Sequence, residues 1–157
     1  MATTTNAVRI ARQAGISVTE RFYDFDENDL RGTHAADAIG MNQEQVFKTL
    51  VARGEKRGIL VFCIPVCCAL DLKKAAKSAG DKKIEMVHMK ELLPLTGYIR
   101  GGCSPIGMKK VYPTFIDETA QLHNEIAVSA GMRGQQLILS PDDLIDYTGM
   151  NVCDLTE

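Results

Sequence analysis

No apolar stretch of this chain is long enough to cross a bilayer. The longest candidate, ILVFCIPVCCAL at 59–70, falls well short of the roughly 20 residues a spanning helix needs, and it contains Pro65. The start, MATTTNAVRIARQAG, lacks the apolar core of a secretory signal and sets Arg9 and Arg12 among its apolar residues. A soluble, cytoplasmic protein is therefore expected. Paired CxxC units are also missing. The five cysteines (Cys63, Cys67, Cys68, Cys103 and Cys153) are odd in number, and three fall in an apolar run, which reads as buried free thiols in a reducing compartment. Cys63-x3-Cys67-Cys68 has no histidine near it, so no metal site is expected.

There is no excess of positive charge. Lys and Arg number 18 against 20 Asp and Glu, for a formal net charge of −2 and a pI of about 5.9. A dedicated duplex binder neutralises phosphates with Lys and Arg, so broad nucleic-acid binding is disfavoured, whereas gripping one end of an RNA is not. The one basic stretch, Lys73, Lys74, Lys77, Lys82 and Lys83, reads as a solvated helix face. Repeats and linkers are absent, and residues 1–157 read as one domain. A GxSxG elbow, a GxGxxG fingerprint and a P-loop are all missing.

What is present is ordinary globular composition, 45% hydrophobic and 24% charged. Thr5-Asn6 can cap a helix over AVRIARQA that ends at Gly15. ISVTERFYDF alternates as a strand, with Ile16, Val18 and Phe22 on one face and Tyr23 and Phe25 on the other. THAADAIG forms a short helix, and Asn42 with Gln45 resembles a capping box. VFKTLVAR and GILVFCIP flank the turn GEKRG as a hairpin. Asp71 caps LKKAAKSAG, IEMV is a short apolar piece, and KELLPLTG is helical. KKVYPTFID, NEIAVSAG and QLILS read as strands, and Ser140-Pro141 opens a helix closed by Gly149. Helices and strands intersperse without a strict βαβ rhythm. The expected class is α+β: a mixed sheet curled toward a barrel, with helices packed outside.

Three features can carry chemistry. Lys48 lies inside the apolar run VFKTLV and shares a period-2 face with Val46 and Leu50. It is either a lysine snorkelling from a half-exposed face or a cation in a cleft wall matched to an anionic group. The loop GYIRGGCSPIG holds Gly97, Gly101, Gly102 and Gly107. It is either a flexible surface loop or a main chain that a ligand approaches closely, with N–H groups able to stabilise an oxyanion. Tyr23 and Phe25 are either core aromatics or contacts for a base or ribose. The best protein nucleophile is Cys103, with His34, His88 and His123 as possible bases, none of them placed by a motif.

VFKTLV, PVCCALDLKKAAK, TGYIRGGCSPIG followed by Lys109-Lys110, and SAGMRG resemble, in this order, the motifs of the YbaK/EbsC family of cysteinyl-tRNA(Pro) editing hydrolases. The similarity runs from the first helix to about Leu144. The resemblance implies the fold shared with the editing domain of bacterial prolyl-tRNA synthetases, and hydrolysis of the ester joining a wrong amino acid to the terminal adenosine of tRNA. It implies aminoacyl-tRNA and prolyl-tRNA synthetase as partners, with no cofactor or metal. The family's essential lysine falls on Lys48 and its glycine loop on Gly101 and Gly102. Tyr23 matches a pocket tyrosine, and Phe25, Thr49, Ser104 and Pro105 become candidate substrate contacts. The substrate's own cysteine thiol is the implied nucleophile, which accounts for the missing protein nucleophile. The rivals are an alanyl-tRNA(Pro) deacylase, a cysteine hydrolase using Cys103, and a non-catalytic RNA-end or synthetase-binding module. Two departures stand out. Gln135 and Gln136 occupy the stretch where several relatives have an acidic residue, and Cys103 replaces a small or branched apolar residue.

Overall fold

A mixed sheet and a smaller antiparallel sheet meet face to face in the computed structural model, which describes residues 4–157. Helix α1 (Asn6–Gln13) starts where Thr5 Oγ1 accepts the Val8 N–H at 3.2 Å, and it buries Ala7, Val8 and Ala11. Strand β1 (Thr19–Phe22) leads to α2 (Gly32–Ile39). β2 (Phe47–Gly54) and β3 (Gly58–Pro65) form the expected hairpin in unbroken register, from Phe47 opposite Pro65 to Gly54 opposite Gly58. α3 (Leu72–Ala79) opens on Asp71, whose Oδ1 accepts the N–H groups of Lys73 and Lys74 at 2.9 and 3.1 Å. Then follow β4 (Ile84–Met86), α4 (Met89–Thr96), β5 (Thr114–Asp117), β6 (Ile126–Ser129), β7 (Gln135–Leu139), α5 (Pro141–Thr148) and β8 (Asn151–Cys153).

The larger sheet has the order β4-β2-β3-β5-β8, antiparallel across β4-β2-β3 and parallel across β3-β5-β8. The smaller has the antiparallel order β1-β7-β6. The class is thus mixed α+β, as expected, but the sheet is split in two. One parallel bridge, Val46 to Ala127, joins the halves, so the curl stays open on one side. Between the sheets lies the main core: Phe47, Cys63 and Ile116 face Ile126, Val128, Leu137 and Leu139, closed off by α1 and by Leu144 of α5. α3 covers the outer face of the larger sheet through Ala75, Ala76 and Ala79, against Leu60, Phe62 and Ile64. α2 covers Ala127 and Ile138 of the smaller sheet through Ala36 and Ile39.

Several expected elements change in extent. β1 is short: Tyr23 N–H still donates to Gly134 O at 2.9 Å, but the chain then leaves the sheet, so the alternation does not continue to Phe25. Phe22, expected on the same face as Ile16 and Val18, is 51% exposed, whereas Ile16 is buried. Asn42 makes no capping box. It precedes a single 3-10 turn, Gln43–Gln45, and Gln45 Nε2 instead donates to Glu125 O at 3.3 Å. The 109–117 strand begins only at Thr114, because Pro113 has no N–H to give a ladder, and Val111 stands free in solvent.

Candidate active site

β4 pairs with β2 only at Ala52–Gly54, and the one backbone bridge to β6 is at Val46, just ahead of β2. Residues between these two contacts therefore border a gap where the sheets part. That gap is the mouth of a cleft of about 550 Å³. Its floor is Val46 and β2 from Phe47 to Val51. One wall comes from 86–89 and Leu92, another from the segment 30–35. A third comes from Ser129 and Gln136 of the smaller sheet, and the glycine loop contributes Arg100, Gly101 and Cys103.

Lys48 is half-buried in this floor, on the same face of β2 as Leu50 and Ala52. Among the described residues it makes no ion pair. Of the other basic groups at the cleft, Arg31 is tied to Asp29 at 2.7 Å, and that contact holds the Asp29 carboxyl down at about 2. No Asp or Glu is among the described residues that line the cleft. A chain of net negative charge has thus built a cavity with cations and, among the described residues, without carboxylates. Such a cavity accepts an anionic ligand at little electrostatic cost.

The glycine loop is pinned rather than free. Tyr98 O–H donates to Ile106 O, Thr96 Oγ1 accepts the Tyr98 N–H at 3.0 Å, and Gly102 N–H donates to Ile99 O at 3.0 Å. Gly101 has φ +83°, a backbone that side-chain-bearing residues rarely adopt. At Gly102 a Cβ would meet Arg133 N and the Met132 carbonyl carbon at 3.2 Å, so the loop lies backbone against backbone on the 131–134 turn. Gly102→Ala should cost about 1–3 kcal/mol through this overpacking. It should also move Gly101 in the cleft wall, lowering urea midpoint and activity together.

The structure brings Tyr23, Lys48, Thr49 and Gly101 together on the cleft. Gly102, Ser104, Pro105 and Phe25 do not line it. Gly102 packs beneath the wall. Ser104 is buried, with its Oγ accepting the Ile106 N–H at 3.2 Å, and Pro105 follows it in that turn. Phe25, 44% exposed, covers Gly134 at the side of a shallow neighbouring hollow. The sequence reading noted Gln136 only as a departure from relatives and did not name it or Ser129 as a site residue. The available signal was a polar residue at the head of the apolar strand QLILS.

Neither thiol near the floor is activated. Burial pushes the Cys103 thiol up to about 12, and it pushes Cys63 up to about 12 as well. His88 borders the cleft, His34 lies 3.9 Å from Asp29, and His123 is not among the lining residues. Among the described residues no three His, Cys, Asp or Glu side chains gather as a metal-ligand set, and no helix is long and apolar enough to cross a membrane.

Residues 32–147 match the model of the aminoacyl-tRNA editing domain family. The chain belongs to that family. It is accordingly an aminoacyl-tRNA deacylase by class, a hydrolase of YbaK type. This editing domain is 45% identical to the Enterococcus faecalis protein named "Putative Cys-tRNA(Pro)/Cys-tRNA(Cys) deacylase EbsC", across 97% of this chain and 93% of the relative. The crystal structure of "a putative trans-editing enzyme for prolyl tRNA synthetase" superposes with a TM-score of 0.81 at 28% identity, over 96% of this chain and 92% of that one. The "hypothetical protein APE2540" shares the fold, with a TM-score of 0.86 at 21% identity over 95% and 97% of the two chains.

Proposed function

We propose that this editing domain hydrolyses cysteinyl-tRNA, with cysteinyl-tRNA(Pro) as its main substrate, and that the substrate thiol is the nucleophile. The observation that carries the reading is the pairing, in one cleft, of Lys48, which makes no ion pair among the described residues, with one thiol, Cys103, that burial keeps protonated. The cleft offers charge and main-chain polarity but no activated nucleophile. A substrate that brings its own nucleophile suits such a site.

In this reading Lys48 holds the phosphate or ribose end of the terminal adenosine, and Tyr23 and Thr49 line the pocket beside it. The main chain at Gly101 orients the scissile carbonyl, and Gly102 keeps that stretch in place. The cysteine sulfur forms a bond to its own carbonyl carbon and the ester C–O bond breaks. The thiol proton passes to the departing ribose oxygen. Water then opens the thiolactone to free cysteine. This chemistry calls for neither metal nor cofactor. The work is trans-editing in the cytoplasm, beside prolyl-tRNA synthetase. That enzyme has cause for such help, because a single pocket separates near-isosteric side chains by only about 1–3 kcal/mol.

The experiment is single-turnover deacylation of cysteinyl-, alanyl- and prolyl-tRNA(Pro). Cysteinyl-tRNA should be consumed fastest; preference for alanyl-tRNA would shift the assignment to a water-activating deacylase with His88 as the first base to test. Cys103→Ser should keep most of the activity, since a thiol held near 12 is protonated at neutral pH. Complete loss at unchanged thermal stability would instead make Cys103 the nucleophile.

A further inference from the structure

Among the described residues, one buried side-chain polar atom has no hydrogen-bond partner: Gln136 Oε1. Gln136 is 5% exposed and lines the cleft. It sits on β7, opposite Arg21 of β1 and Ser129 of β6, and alternation places it on the face of Ile138, away from the inter-sheet core of Leu137 and Leu139. Its neighbours are satisfied. Gln135 Nε2 donates to Glu20 Oε1 at 2.7 Å, and Ser129 Oγ accepts the Gly131 N–H at 3.1 Å. Leaving a carbonyl oxygen buried and unpaired weakens a fold, so such an atom at a cavity wall points to a missing donor.

The class of ligand narrows the donor. An aminoacyl ester carries an α-ammonium next to the scissile carbonyl, and the described residues that line this cleft include no carboxylate to receive it. A neutral amide oxygen fits the need. It accepts from a cation, yet leaves the field of Lys48 intact for the anionic end of the substrate. We infer that Gln136 is a specificity residue that reads the free α-amine of the aminoacyl group through Oε1. The cleft thereby favours aminoacyl-tRNA over N-acylated, peptidyl-type esters. The inference rests on the deacylase reading of the cleft, but not on which amino acid is preferred, since every aminoacyl ester carries that amine.

The test compares cysteinyl-tRNA with N-acetyl-cysteinyl-tRNA on wild type, Gln136→Leu and Gln136→Glu, with thermal melting of each free protein. Wild type should prefer the free amine by about tenfold or more, the scale of one hydrogen bond to a charged group. Gln136→Leu should melt at the same temperature or higher, because an unpaired buried oxygen is gone. It should lose about tenfold to a hundredfold in kcat/KM on cysteinyl-tRNA, mainly through KM, and bring the ratio between the two substrates near one. Gln136→Glu, which keeps an acceptor, should retain the preference. A lower melting temperature for Gln136→Leu with both substrates reduced equally would make Gln136 a structural group and overturn the inference. So would unchanged discrimination. If wild type acted on neither cysteinyl ester, the cysteinyl assignment would fall alone, and the same comparison with alanyl- and N-acetyl-alanyl-tRNA would decide Gln136.

Discussion

Lys48→Ala should lower deacylation by about 10²- to 10³-fold, the range seen when one preorganised electrostatic group is removed from an active site. The fold should not suffer. Lys48 is half-buried and among the described residues makes no ion pair, so its loss breaks no bridge and leaves no opposite charge stranded. A stability change within about 0.5 kcal/mol is expected, as for a side chain outside the packed core. Its backbone register, opposite Ile64 in the β2–β3 ladder, is set by main-chain bonds that alanine keeps. Lys48→Arg should also be impaired, since a planar fork does not substitute for a compact ammonium in a confined site. Rates from single-turnover deacylation, alongside melting curves, give the measurement. Near wild-type turnover in Lys48→Ala would remove Lys48 from the site.

Lys48 also shows how far the site could be read in advance. A cation inside the run VFKTLV was visible as an anomaly, but the residues themselves allowed a snorkelling lysine equally well. What separates the two readings is the parting of the sheets. β4 stops pairing at Ala52 and β6 bridges only at Val46, leaving Lys48 beside a cavity instead of bulk solvent. That parting depends on contacts between segments some eighty residues apart, which no local period records. The hairpin, α3 and α5 were legible because each is marked locally, by an unbroken apolar run, by Asp71 or by Ser140-Pro141. β8 was not, because Asn151–Cys153 is too short to show alternation and pairs only with Asp117 and its neighbours, far back in the chain. Gln136 stood out only as a departure from relatives, and its place in the wall was hidden for a related reason. Its polarity was plain, but its lack of a partner is a property of the folded state alone.

Seryl-tRNA tests the chemistry without touching the protein. Serine and cysteine are nearly isosteric, so the cleft should bind their esters with similar affinity. The difference should then fall on the chemical step. A thiol is a few per cent thiolate at neutral pH and a hydroxyl carries essentially no alkoxide, so seryl-tRNA should react slower by on the order of a hundredfold or more. The protein has little with which to close that gap. Its buried thiols are held near 12, no carboxylate lines the described cleft, and of the three histidines only His88 borders it directly. Charging one tRNA body with either amino acid and following single-turnover loss of the ester isolates the step from binding and product release. A rate gap at saturating enzyme, with similar half-saturation concentrations, is the expected pattern. Equal rates would mean that the enzyme activates a water, and His88→Ala would then be the variant that must lose activity. Lys48 would keep its place on the anionic end of the substrate under either result, because its role depends on the charge of the cleft and not on which atom attacks.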